Sequence, residues 1–135
     1  MTNENHETNR KRWDAGSAQW ARSADSRGLW RRCPAEPDLV LSKTELRYLA
    51  DARGKRVCVL GSGDNQAVFA LAGLGGIVTS VDISQNQLDV AERRAKELGL
   101  PVSFIRADVT DLSPIADGSF DIVYTGGHVA VWVSD

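Results

Sequence analysis

Two cysteines, one methionine and four prolines are all that this chain of 135 residues holds of those types. Cys33 and Cys58 make no framework, which excludes a disulfide-scaffold protein and leaves two reduced thiols as the expectation. No apolar run approaches the ~20 residues that a membrane-spanning helix needs. The first residues, MTNENHETNRKR, lack the apolar core and small-residue cleavage site of a secretory signal. No internal repeat and no low-complexity tract is found. What is there is ordinary: 42% hydrophobic and 25% charged, which excludes a disordered or collagenous chain. The expectation is a soluble, cytoplasmic, single globular domain.

The net charge of −2 hides an asymmetry. Residues 1–56 carry 12 Lys and Arg against 8 Asp and Glu, whereas residues 57–135 carry 4 against 10. A basic front half with Trp13, Trp20 and Trp30 could serve a nucleic-acid surface. A solvated helical front end explains it without a partner and is preferred here. The acidic half is more informative, because several of its acids fall just after expected strands.

Residues 1–9 are polar and without periodicity, so a disordered tail is expected and His6 within it is given no role. From Arg10 to Trp30, Trp13, Ala18, Trp20 and Ala21 fit one side of an irregular helix, broken at Gly28 and by Pro34 and Pro37. Ser42 precedes Glu45 at capping-box spacing and opens a further helix, expected to stop near Gly54. An alternation of element types follows. Residues 56–60 form a short β-branched run of the kind buried on both faces of a sheet. Residues 65–74 read as a helix, 77–81 as a second strand, and Ser84 caps a helix whose apolar face is Leu88, Ala91, Ala95 and Leu98. Gly99 and Pro101 close that helix. Residues 102–106 and 121–124 give two more strands, with a loop over 109–119. Alternating strands and helices imply right-handed crossovers and a parallel sheet.

In an open parallel sheet, ligands bind outside the carboxyl ends of the strands. After the first strand come Gly61, Ser62 and Gly63, where missing β-carbons allow close approach to the backbone. Asp82 ends the second strand about twenty residues later, placed to accept from both hydroxyls of a ribose. Asp108 follows the third strand, and Thr125, Gly126, Gly127 and His128 follow the fourth. The spacing describes a nucleoside site, unless the glycines only permit a turn and Asp82 only caps the next helix. A dinucleotide loop would want a third glycine where Gln66 stands, and Asp64 would repel a pyrophosphate. A cationic nucleoside without phosphate suits this rim better.

The segments VCVLGSGDN, VDIS, FIRADV and SFDIVYTGG resemble the successive motifs of class I S-adenosylmethionine-dependent methyltransferases, over residues 40–135. RWDAGSAQW resembles the Trp-Asp opening that small-molecule members carry on a helix over the cofactor. The resemblance implies a Rossmann-like α/β fold, a parallel sheet of order 3-2-1-4 with helices on both faces. It divides the chain into a tail (1–9), a helical lid segment (10–41) and a cofactor-binding domain (42–135). It places Gly61, Ser62 and Gly63 beneath the methionine portion of S-adenosylmethionine and Asp82 on the ribose. Ile83 and Gln87 would flank the adenine, Asp108 and Val109 would meet its amino group and edge, and Thr125 would lie near the sulfonium. Trp20, with Trp13, is either a lid residue on the cofactor or ordinary packing. The family's third glycine is Asn65 here, a residue that tolerates turn conformations.

The implied chemistry is methyl transfer to a small-molecule acceptor. His128 is the candidate base if the acceptor must lose a proton, or else a loop histidine with a structural bond. The strand-four residues lack the Asn/Asp-Pro-Pro-aromatic motif of base-modifying enzymes, which argues against nucleic acid. No metal-ligand spacing links the histidines and cysteines. Two other functions remain in view: a nicotinamide-dependent oxidoreductase, and a domain that holds cofactor without turnover. Such sheets have seven strands, of order 3-2-1-4-5-7-6, where this sequence supplies four. The expectation is therefore a part of a longer enzyme, or a strand-four edge beside the apolar 129–133 segment that self-association covers.

Overall fold

A computed structural model describes residues 3–63 and 65–126, with Val129 and Val133. Helix α1 (Glu4–Arg27) leads into the short α2 (Leu29–Arg32), a 3₁₀ turn (Pro37–Leu39) and α3 (Lys43–Leu49). Strands β1 (Arg56–Leu60), β2 (Ile77–Asp82), β3 (Ser103–Arg106) and β4 (Ile122–Thr125) alternate with α4 (Gln66–Gly73) and α5 (Gln85–Leu98). The strands are all parallel, in the order β3-β2-β1-β4. Val57 pairs with Val78 and Ile122, and Leu60 with Val81 and Thr125, so the carboxyl ends of β1, β2 and β4 are level.

Alternation along β1 sorts the core. Val57 and Val59 pack with Phe69, Leu71, Ala91 and Trp30 on the face that α4 and α5 cover. Cys58 faces the other way, with Val81, Ala107, Leu112, Ile115 and Phe120. The sequence reading has helices on both faces; among the described residues, the second face is covered by the 109–120 segment, whose Pro114 and Gly118 oppose a helix. Cys33, read from sequence as a loop thiol, is fully buried between α2 and α4, with its Sγ 3.4 Å from the Gln66 carbonyl.

The local signals in α3 and α5 are realised. Ser42 and Glu45 form the reciprocal capping box. Ser84 Oγ accepts from Gln87 N at the start of α5, and Gly99 ends it at φ 67°. The front end differs from the expectation. In place of a disordered tail, α1 starts at Glu4, with Asn3 Oδ1 accepting from Asn5 N at 2.9 Å. Glu4 and Glu7 lie in its first turn, where the helix dipole favours acids, and Arg10 bridges Glu7 and Asp14.

What holds α1 down is tertiary. Asp14 Oδ1 accepts from Ser84 Oγ at 2.5 Å and from Asn86 N at 3.2 Å, tying the helix to the start of α5. Further along, the buried Arg94 guanidinium donates to Ala21 O and Asp25 Oδ1, both at 3.0 Å, and lies over the Trp30 ring. The helix thus crosses the carboxyl ends of the strands, where the sequence reading places the chemistry.

Candidate functional site

Two cavities adjoin beneath α1 and share Trp13, Gly61 and Gly63 in their walls. The smaller, of about 120 Å³, lies between α1 and the ends of β2 and β3, with Asp82, Ile83, Asp108 and Val109. The wider, of about 540 Å³, extends over Ser62 toward Trp20, Gln87, Tyr124 and Gly126. Its volume falls in the ~300–1,000 Å³ range of small-molecule sites.

The floor of both is the turn after β1. Gly61 and Gly63 have φ of 62° and 55°, a region glycine enters without strain. Gly63 N donates to Asp82 Oδ2 and Ser84 N to Asp82 Oδ1, both at 2.9 Å. One carboxylate, 7% exposed, therefore sets the distance between the first two loops. Each of its oxygens keeps a lone pair for a ligand hydroxyl. Burial pushes the Asp82 carboxyl above the ordinary aspartate range, against the backbone bonds that favour its charge.

Asn65 sits at φ 64°, fully buried, in place of a third glycine. Its Nδ2 donates to Gly63 O at 2.7 Å, and its Oδ1 lies 2.6 Å from Ser80 Oγ, which is also 2.7 Å from Ser62 Oγ. The side chain thus braces the loop from below, and the departure from a third glycine leaves the turn in place.

The other expected residues divide. Ile83, Asp108 and Val109 meet in the smaller cavity with Asp82. Gln87, expected beside Ile83, instead lines the wider one. Trp20 lines it too, 4.7 Å from Trp13 between ring centroids. Thr125 lines neither cavity; it is exposed and its Oγ1 donates to Leu60 O at 3.3 Å. Alternation along β4 turns its neighbour Tyr124 inward instead. The Tyr124 hydroxyl donates to Glu45 Oε1 at 2.8 Å, and burial followed by that bond pushes the phenol up to about 12. His128 lies outside the described residues.

The sequence reading misses what α1 contributes. His6 is 3% exposed, lines the smaller cavity with Asn9, and holds its Nδ1 2.6 Å from Asp108 Oδ2. Local signals for this helix exist in Asn3, Glu4 and Glu7, but nothing local marks a partner 102 residues away. Thr110 N and Oγ1 donate to Asp108 Oδ1 at 2.9 and 2.7 Å. Burial pushes this carboxyl up, but the Thr110 and His6 bonds outweigh it and hold it below the usual range. Among the described residues, no Lys or Arg lines the smaller cavity, so it is not built for phosphate.

The sequence profile of a methyltransferase domain matches residues 58–135, more than half of the chain. The chain belongs to the class I S-adenosylmethionine-dependent methyltransferases. A ubiquinone biosynthesis O-methyltransferase of Vibrio vulnificus is 27% identical over 110 residues, 82% of this chain and 45% of that one. A demethylmenaquinone methyltransferase of Clavibacter sepedonicus is 39% identical over 77 residues, covering 57% of this chain and 31% of its own. The fold matches a solved S-adenosylmethionine-dependent methyltransferase structure from Methanococcus maripaludis with a TM-score of 0.67, at 16% identity, over 89% of this chain and 52% of that one. This methyltransferase chain spans less than half the length of those curated relatives.

The residues on hand fit the family's cofactor. A sulfonium nucleoside asks for a diol acceptor, a non-phosphate rim and a glycine turn open to close approach. Asp82, the absence of basic groups in the smaller cavity among the described residues, and Gly61 with Gly63 meet those three needs. Among the described residues no helix is long and apolar enough to cross a membrane.

Proposed function

We propose that this chain binds S-adenosylmethionine across the two cavities and, as part of the protein to which it belongs, directs its methyl group to a small apolar acceptor. The observation that carries this reading is the Asp82 carboxylate, buried and pinned between Gly63 N and Ser84 N at the cavity wall. Bound S-adenosylmethionine supplies an electrophilic methyl group on sulfur. The protein's own work is alignment and water exclusion. Asp82 accepts from the ribose hydroxyls, and Ile83 and Val109 pack on the base. Trp13, with the Trp20 ring tilted against it, covers the join between the cavities and keeps water from it. Gly61, Ser62 and Gly63 pass beneath the methionine portion, and Gln87 faces that end.

The acceptor side is the wider cavity, where Val59, Val40 and the Trp20 indole give apolar walls. The relatives are named a ubiquinone biosynthesis O-methyltransferase and a demethylmenaquinone methyltransferase, which supports a quinol or phenol as acceptor. Tyr124 stays protonated, so it orients rather than abstracts. His128 remains the candidate base for an acceptor hydroxyl. The test is calorimetry with S-adenosylhomocysteine and with NAD, followed by methyl transfer to a small catechol. Micromolar binding of S-adenosylhomocysteine without NAD binding supports the site; NAD binding alone overturns it.

A second reading has its own observation, since the chain spans under half of its relatives' length. Binding of S-adenosylhomocysteine without turnover would identify the chain as a cofactor-holding domain. The outer side of β4, which no strand pairs with among the described residues, and Val123, 61% exposed, offer a surface for self-association.

A further inference from the structure

Asp108 has a partner that the strand-end pattern does not assign. Its Oδ1 is occupied within its own turn by Thr110 N and Oγ1. Its Oδ2 meets His6 Nδ1 at 2.6 Å, from the first turn of a helix 102 residues earlier. An ionised carboxylate only accepts, so Nδ1 carries the proton in this pair. A short, charge-assisted bond is about twice as strong as a neutral one, and here it is shielded, with the His6 side chain 4% exposed. Thr110 alone would fix one oxygen and leave the other free to swing about that point. With His6 on the second oxygen, the carboxylate is held at both ends against the wall of the smaller cavity. A carboxylate so held offers its remaining lone pair to an N–H donor and repels a carbonyl oxygen.

We propose that His6 is a positioning residue of the cofactor site: it aims the Asp108 carboxylate so that the cavity selects a 6-amino over a 6-oxo purine. The inference rests on the S-adenosylmethionine reading above and extends the site to the first turn of α1. Truncating α1 before residue 7 would then cost nucleobase selection, and not only helix stability.

The test is calorimetry of the 135-residue chain with S-adenosylhomocysteine and with S-inosylhomocysteine. The variants are His6→Phe, which keeps ring bulk without a donor, and His6→Asn, whose amide reaches the Nδ1 position. Wild type is expected to prefer the adenosyl ligand by at least about tenfold, about 1.4 kcal/mol. In His6→Phe the adenosyl ligand weakens by about tenfold and the inosyl ligand by less than about twofold, which erases the preference. His6→Asn keeps the preference within about threefold of wild type. His6→Gln, whose amide nitrogen lies past the Nδ1 position, serves where His6→Phe does not fold, and it too loses the preference. An unchanged preference in His6→Phe overturns the proposal. So does an equal loss for both ligands alongside a lowered melting temperature, which would make His6 a docking contact for the helix. Wild type binding neither ligand would instead refute the cofactor reading itself.

Discussion

Replacing Asn65 by glycine restores the residue that the family's loop usually carries, and the structure says that it destabilises the chain. Two effects oppose each other. Glycine relieves a backbone held at φ 64°, which costs roughly 1 kcal/mol for an ordinary side chain and less for Asn. Against that, the variant loses the bond to Gly63 O and the contact with Ser80 Oγ, both inside the protein and at 2.7 and 2.6 Å. Each is worth about 1 kcal/mol, and the buried Ser80 hydroxyl keeps Ser62 Oγ as its remaining partner. Glycine also frees the unfolded chain by about 0.5–1 kcal/mol. Asn65→Gly should therefore lose about 2 kcal/mol, and Asn65→Ala, which loses the bonds and strains the turn somewhat more than Asn, about 2.5. For 135 residues at about 2.1 cal/mol/K each, those losses lower Tm by about 7 and about 9 °C. Urea unfolding at unchanged m-value checks the magnitude. A double-mutant cycle with Ser80→Ala isolates the side-chain contact, with a coupling of at least about 0.5 kcal/mol expected. An Asn65→Gly variant as stable as wild type, or a cycle without coupling, would refute the bracing role.

The remaining predictions use other parts of the fold. Asp82 has its native pKa raised above the ordinary 3.8 by burial, so the folded chain holds that proton more tightly than the unfolded one. Its contribution is complete below about 3.8 and is lost as pH rises through the raised value. Urea midpoints across that window should fall for wild type relative to Asp82→Asn, and a rise would contradict the sign. Asp82→Asn should also weaken S-adenosylhomocysteine at least about tenfold by calorimetry, because one amide N–H then faces a backbone donor. A β-carbon at Gly73 would collide with the Pro34 carbonyl oxygen, so Gly73→Ala should cost about 3 kcal/mol. Gly99→Ala, with open space around it but φ 67°, should cost only about 1; thermal melting separates the two. Val123→Lys should shift any dimer toward monomer in sedimentation velocity, since a charge on the outermost of the described strands opposes pairing. An unchanged dimer fraction would locate the contact elsewhere.

How much of this was legible depends on the range of the interaction. The strands, the Ser42 and Ser84 caps and the Asp82 site are short-range patterns, written within a few residues of chain and read without the fold. The order β3-β2-β1-β4 follows from right-handed crossovers once the alternation is seen. The front end could not be read the same way. Residues 4–27 carry no strong apolar face, and the helix is held by Asp14 on Ser84, Asn86 on Asp14, and Arg94 on Ala21 and Asp25. Those pairs are about 70 residues apart and leave no periodic trace. The same reason hides His6, whose meaning comes only from Asp108. Gln87 and Thr125 lie on the expected elements, but Gln87 lines the wider cavity rather than the one with Ile83, and Thr125 lines neither. Which side a residue takes there depends on a helix-start rotation and a strand alternation that shift by a single position.

The placement of α1 also orders events in time. Its segment leaves the ribosome before the strands do, yet the wall it builds cannot close until Asp108 has been made and β3 has paired with β2. Closing so long a loop is the entropically slow kind of contact. The sheet should therefore form before the cavity does, and α1 should be the last element to dock and the first to detach. In hydrogen exchange the α1 amides should open at a lower free energy than those of β1. A cofactor seated under the helix would close that gap, because ligand and helix share one wall.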